Sequence, residues 1–402
     1  MAQRSKRKIP DMVLVSVVAA LLAIGLVTMF TVGILLGDPT YYLFRQALWV
    51  GVGSVALVVM TVLDYRFWKK AALPLMLAVL ALLLAVLFVG ATKYGATRTL
   101  FGGSVQPSEA AKLIVVIYAA AWMEAKGEKL RDTREGLVPF SVIIGLVAGL
   151  VALEPDLSTA LIIAVTAIGM FFIARATVLQ MGALLGIGGA TFVLLVTKFH
   201  HSSQRFHDFI RYFAHPVTAS RGQVRSNLTA ILHPRFGIFD LGNIKVPTLV
   251  WSDGVFALLG QEFGIVGTLL VLGLFAFLAY RGYRIALESA DTFGSLAAAG
   301  ITTWITFQAA LNIAMVIAVA PTMGVPLPFL SLGGSALVTS LAGVGLLLSI
   351  SKETGAYGRK KKASDSGGRR KRGTRLSTVS SERRLPRNPV AGRKTAGRSK
   401  KG

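Results

Sequence analysis

Long apolar runs constrain this chain more than any other feature. They lie near residues 12–36, 44–63, 71–90, 137–153, 157–174, 178–197, 254–280, 293–319 and 333–351. A helix that crosses a bilayer needs about 20 predominantly apolar residues, and these runs are of that order. A tenth, weaker segment, 108–123, begins SEAAKLIVV and carries Glu109 and Lys112 near its start. Inside a bilayer every backbone polar group has to be satisfied within the protein, so such runs fold as helices. The expected fold is an all-α polytopic membrane protein of about ten transmembrane helices. An even number returns both termini to one side.

Composition agrees with that reading. The chain is 53% hydrophobic and 15% charged, where soluble domains carry about 25% charged residues. Cysteine is absent, so neither a disulfide framework nor a thiolate nucleophile is available. Of the formal net charge of +24, residues 352–402 supply +15, from 18 Lys and Arg against 3 Asp and Glu. This Ser- and Gly-rich stretch is expected to be a disordered tail. Its expected partner is the anionic membrane lipid beside it rather than nucleic acid. The chain divides into a basic N-terminus, 1–11, a membrane domain, 12–351, and the basic tail, 352–402. The first apolar run is too long for a signal peptide and lacks a convincing cleavage site, so it reads as a retained span.

Orientation follows from the excess of Lys and Arg in cytoplasmic loops. Arg4, Lys6, Arg7 and Lys8, then Arg66, Lys69 and Lys70, then Lys126, Lys129, Arg131 and Arg134 fall on one side. Arg175, Arg281, Arg284 and the tail fall there too, whereas the opposite short loops, 37–42 and 154–156, have no basic residue. Both termini are thereby expected in the cytoplasm. One long outer loop, 198–252, separates helices 7 and 8 and leaves Asp253 at the outer face.

The stretch WSDGVFALLGQEFGIVG, 251–267, places that carboxylate between a polar loop and an apolar run. An acid there can touch both water and a lipid-anchored substrate. Asp is equally favoured as a helix N-cap, and the stretch alone leaves both readings open. Arg205, Arg221 and Arg225 in the outer loop invite an anionic ligand, while FHDFIRYF within it reads equally as an amphipathic segment in the interface. His200, His201, His207 and His215 match no compact zinc spacing, so no metal site is expected of them. Glu109 and Lys112 stand one turn apart and can satisfy each other, although charge within a span points to function by default. Asp156 reads as the cap of helix six. Glu262, nine positions beyond Asp253, is about 13 Å away on a straight helix and reads as an anchor between helices. Pro321, Pro326 and Pro328 with Gly324 forbid a regular helix over 320–330, an irregularity tolerated where it lines a cavity. Gly333 and Gly334 permit close helix packing.

Four stretches together point further. GATRTLFGGSVQPSEAAKL (95–113), LEPDLSTA (153–160), SDGVFALLGQEFGIVG and QAALNIAMVIAVAPTMGVPLPFLSLGGSALVTSLAGVGLLLSIS (308–351) resemble, in order and spacing, the signature segments of the SEDS family of cell-shape and division proteins. The likeness runs from the first helix to Ser351, and the basic tail favours the division type, FtsW, over RodA. It implies a glycosyltransferase that polymerises the peptidoglycan precursor lipid II into a growing glycan strand on the outer face of the bacterial cytoplasmic membrane. It also implies a class B penicillin-binding protein as transpeptidase partner, among other division or elongation proteins. By motif, Asp253 falls on the family's essential acid, Arg98 on the second Arg of A-R-R-W, and Glu109 and Lys112 on Q-P-S-E-x-A-K. Trp251, Ser252 and Gly254 depart from the family pattern around the acid, as do Thr97, Thr99, Ser158 and Leu332 elsewhere.

The implied chemistry suits these residues. Cleaving a sugar ether takes a carboxylic acid to protonate the leaving group; a pyrophosphate leaving group takes cations instead. Asp253 as general base, with Arg98, Lys112, Arg205, Arg221 and Arg225 as the basic surround, is a sufficient inventory. No cofactor is required of the chain, and a divalent cation, Mg or Mn, is left open as a neutralising ion. Two other readings fit the same residues: a lipid II flippase or other transporter that uses Glu109, Lys112 and Glu262, and a scaffold with no chemistry.

Overall fold

The computed structural model describes residues 9–89, 91–93, 96–99, 106–214, 227 and 250–373. All ten expected segments are helices. They are α1 (Met12–Leu36), α2 (Pro39–Val62), α3 (Tyr65–Val89), α4 (Pro107–Lys126), α5 (Val138–Leu153), α6 (Leu157–Ile173) and α7 (Val178–Lys198), followed by α9 (Val255–Glu288), α10 (Thr292–Val316) and α11 (Gly334–Gly373). Between α7 and α9 the loop over 198–252 opens with an amphipathic helix, α8 (His200–Ala214). Two short strands, β1 (Ala91–Lys93) and β2 (Ala96–Thr99), pair antiparallel before α4. Among the described residues eight helices are long and apolar enough to cross a membrane; α6 has 17 residues, and α4 carries the Glu109 and Lys112 charges.

Aspartates start several of these helices. Asp11, Asp38, Asp156 and Asp291 each accept a backbone N–H from the first turn of α1, α2, α6 and α10, satisfying donors that have no partner inside the helix. Asp156 therefore does cap α6, as expected. In α9 the N-cap position falls on Gly254, one residue after Asp253.

Helix α10 lies at the centre, packed against α4, α6 and α9, and 67% of its most apolar window is buried, against 11% for α7. Outward faces remain strongly apolar: Phe88, Val178 and Leu179 are more than four-fifths exposed. Apolar surface of that extent belongs against lipid, and the protein is a multi-pass membrane protein. At one end of the bundle the start of α1 meets the last turns of α9 and the end of the apolar span of α11. There Asp11 pairs with Arg281, and its N–H donates to Ser351 Oγ at 3.1 Å. The starts of α9 and α11 lie at the opposite end by connectivity.

Two expectations are corrected. The run 254–280 is not one straight helix, because Gly264 takes φ 58°, ψ −154°, a conformation essentially confined to glycine. Val255–Glu262 is buried on all sides, whereas Ile265 and Val266 just past the break are 68% and 69% exposed. The break lies two residues beyond Glu262, so Val255–Glu262 is itself unbroken helix, and Asp253 precedes it. At the other end, α11 does not stop at Ser351 but runs to Gly373, since Lys and Arg favour helix almost as well as Leu. Its apolar span is Gly334–Glu353. Residues 358–402 form a separate compact unit, described only over its helical backbone to Gly373.

Candidate active site

A polar cavity of about 240 Å³ opens at the starts of α4, α6 and α11. The segment between α10 and α11 forms one wall through Gly324, Val325 and Pro326, as its prolines led us to expect. These residues belong to neither helix nor strand, so their carbonyls depend on side-chain donors.

Glu109 and Lys112 also line the cavity, 4% and 3% exposed. The Lys112 ammonium lies 2.7 Å from a Glu109 carboxylate oxygen and donates to Gln308 Oε1 at 2.8 Å. It also sits 5.5 Å from the centre of the Trp304 ring, whose negative face attracts a cation. A second polar group gathers on Asp156. Gln106 Nε2 donates to one of its carboxylate oxygens at 2.9 Å, and the Ser158 hydroxyl donates to the other at 3.0 Å.

Ser252 also lines the cavity, and Asp253 beside it is 4% exposed. The backbone on which this acid sits is tied at three successive residues to α10 and to the segment that leads into α11. Leu332 N–H donates to the Trp251 carbonyl at 2.8 Å. The Ser331 hydroxyl donates to the Ser252 carbonyl, and Asn312 Nδ2 donates to the Asp253 carbonyl at 3.1 Å.

This arrangement invites comparison with known proteins. The model of the FtsW/RodA/SpoVE cell cycle protein family matches residues 11–356. The chain belongs to that family. A probable peptidoglycan glycosyltransferase FtsW of Trichlorobacter lovleyi is 33% identical over 85% of this chain and 93% of its own. Stage V sporulation protein E of Bacillus subtilis is 32% identical over 87% and 98%. Among solved structures, a chain of a peptidoglycan synthase complex that coordinates polymerization and crosslinking superposes with a TM-score of 0.72, at 28% identity over 86% and 98%. The rod shape determining protein RodA of Thermus thermophilus gives 0.66, at 27% identity over 86% and 97%.

In this FtsW/RodA/SpoVE protein the residues expected from sequence separate into groups. Glu109, Lys112 and the stretch holding Asp253 meet at one cavity. Arg205, on α8, approaches its rim: a Cβ placed on Gly324 would lie 3.6 Å from the Arg205 guanidinium. Arg98 has its backbone in β2. Arg221 and Arg225 lie outside the described residues, as do most of the loop over 198–252 and the tail beyond Gly373. Glu262 is buried beyond the cavity and does not line it. No group of three His, Asp or Glu converges among the described residues. Sequence reasoning missed Arg45 on α2, which lines the cavity and contacts Tyr41, because an Arg within an apolar run there reads as a flank. It also missed Gln308 and Asn312, since a polar residue in a buried helix announces no partner.

Proposed function

We propose that this glycosyltransferase polymerises lipid II on the outer face of the bacterial cytoplasmic membrane, with Asp253 as general base. The observation that carries the reading is a single cavity that has the buried Glu109–Lys112 pair in one wall and the neighbour of Asp253, Ser252, in its lining. The 4-hydroxyl oxygen of an incoming GlcNAc attacks the anomeric carbon of a MurNAc as the bond to pyrophosphate breaks. The configuration at that carbon inverts. Asp253 takes the hydroxyl proton, and the electron pair leaves with the polyprenyl pyrophosphate. Lys112, with Arg45, Arg98, Arg205, Arg221 and Arg225, supplies positive charge where negative charge develops, the kind of term that is often the largest in catalysis. Among the described residues no cluster of carboxylates converges for a divalent cation, so such an ion would be held chiefly by the pyrophosphate. It would add Lewis-acid neutralisation there.

The distribution of Lys and Arg supports the outward orientation. The synthase-complex neighbour supports a crosslinking partner, which we assign as a class B penicillin-binding protein. The long basic tail supports the division type.

The test incubates purified protein with lipid II, with and without that partner, and compares parent with Asp253→Asn. The parent makes glycan strands. The variant, equally folded, loses about 10²- to 10⁴-fold in rate, the usual contribution of a general base. A chelator arm reads any dependence on a divalent cation. Equal rates in parent and variant would exclude Asp253 as the base, and no strands from the parent with its partner would favour a flippase or scaffold.

A further inference from the structure

Gln308 and Asn312 project from α10 one turn apart, on one face of the helix, at 1% and 0% exposure. Each amide has its orientation fixed by its partners. Gln308 Oε1 accepts from Lys112 Nζ at 2.8 Å and from Trp304 Nε1 at 3.0 Å, two groups that can only donate. Its Nε2 donates to the Pro326 carbonyl at 3.0 Å. Asn312 Nδ2 donates to two carbonyls, those of Val325 at 2.7 Å and Asp253 at 3.1 Å.

The two amides therefore grip adjacent carbonyls of the same irregular wall. With their other bonds they reach the two ends of the proposed chemistry. Gln308 holds the side chain of the cation, and Asn312 holds the backbone of the acid. Between them runs one turn of α10, with a rise of about 6 Å. A helix packed on three sides is the stiffest element available for setting a distance.

We propose that Gln308 and Asn312 form a gauge on α10 that sets the separation between the Lys112 ammonium and Asp253. Both are positioning residues, and neither has to touch substrate. The inference rests on the proposed roles of Asp253 and Lys112. It assigns the two amides different kinetic signatures, which a merely structural pair would not have.

The full chain is purified with its transpeptidase partner, and strand formation is measured against lipid II concentration. Asn312→Asp keeps the shape of the side chain but loses both donors. It is expected to lower kcat about 100-fold, as a misplacement of 1 Å can, with KM within about threefold of parent. Gln308→Met keeps the volume but removes the amide acceptor of Lys112, leaving Glu109 as its carboxylate partner. It is expected to raise KM about tenfold, because the ammonium meets the pyrophosphate in the ground state as well as the transition state. Gln308→Glu keeps the acceptor for Lys112 and Trp304, and its KM is expected within about threefold of parent. Thermal melting checks each fold. Should Asn312→Asp not fold, Asn312→Ser, which keeps one hydroxyl donor, is expected to lose kcat with the same unchanged KM.

Parent kinetics in both Asn312→Asp and Gln308→Met would overturn the gauge. So would one common change in kcat and KM across all the amide variants, Gln308→Glu included. Full activity of Asp253→Asn would instead remove the base on which the gauge acts, a failure of the underlying assignment that this measurement separates from the others.

Discussion

The Glu109–Lys112 pair shows how a charge is kept inside this protein. Both side chains are nearly fully buried, 2.7 Å apart, and a buried ion is tolerated only when it is paired and hydrogen-bonded. Gln308 and the Trp304 ring complete the surroundings of the ammonium. Removing one partner strands the other charge, so Glu109→Ala is expected to cost about 3–5 kcal/mol, whereas a joint apolar replacement of both is near neutral. Denaturation of Glu109→Ala and of the double variant Glu109→Leu/Lys112→Met in detergent checks this. The double variant is expected to recover stability but not strand formation. If it polymerised lipid II at the parent rate, Lys112 would have no part in the chemistry. The pair itself is legible from its i,i+3 spacing. Its companions Gln308 and Trp304 are 196 and 192 positions from Lys112 and become visible only when α10 is packed on α4.

Among the elements, α9 carries the sharpest conformational demand. Its first turns are buried on every side and lead directly from Asp253, while the remainder presents apolar residues outward, and Gly264 is the joint. A side chain at φ 58°, ψ −154° is strained whatever space surrounds it. Gly264→Ala is therefore expected to cost at least about 1–3 kcal/mol, read as a lowered midpoint of unfolding, and to lower strand formation as the half-helix behind Asp253 reorients. An unchanged midpoint would mean that α9 runs straight. A second constraint joins α2 to α11: a Cβ on Gly345 would lie 2.4 Å from the Leu57 carbonyl oxygen, closer than packed atoms allow. Small residues let helices approach in this way. The apolar pattern marks where α9 lies but is blind to the break, because glycine occurs in straight transmembrane helices too.

At the scale of the whole molecule, the chain joins a membrane unit, Met1–Tyr357, to a basic unit, Gly358–Gly402. The second holds the bulk of the tail's positive charge and none of the cavity. Deleting residues 358–402 is expected to leave the thermal midpoint and strand formation of the detergent-solubilised protein unchanged. The tail as an isolated peptide is expected to bind vesicles rich in anionic lipid, at about 1 kcal/mol per basic residue near the surface, and to release them as salt rises. Equal binding to neutral vesicles would rule out an electrostatic role.

The sequence by itself determined that this protein is a helical membrane protein and where its ten expected membrane segments lie, but not the short β1–β2 hairpin or α8. It also marked Glu109, Lys112 and Asp253 as residues of interest and the proline-rich stretch as a wall. These conclusions rest on local properties, since hydropathy over a window, turn chemistry and motif spacing are each carried by neighbouring residues. Only the tertiary structure decided that the N-cap position of α9 falls on Gly254 rather than Asp253, that the helix breaks at Gly264, and that Arg45, Gln308 and Asn312 belong to the site. Each of those depends on a contact or a torsion that packing selects among locally equivalent alternatives. A buried amide finds its partners only when helices far apart in sequence are brought together.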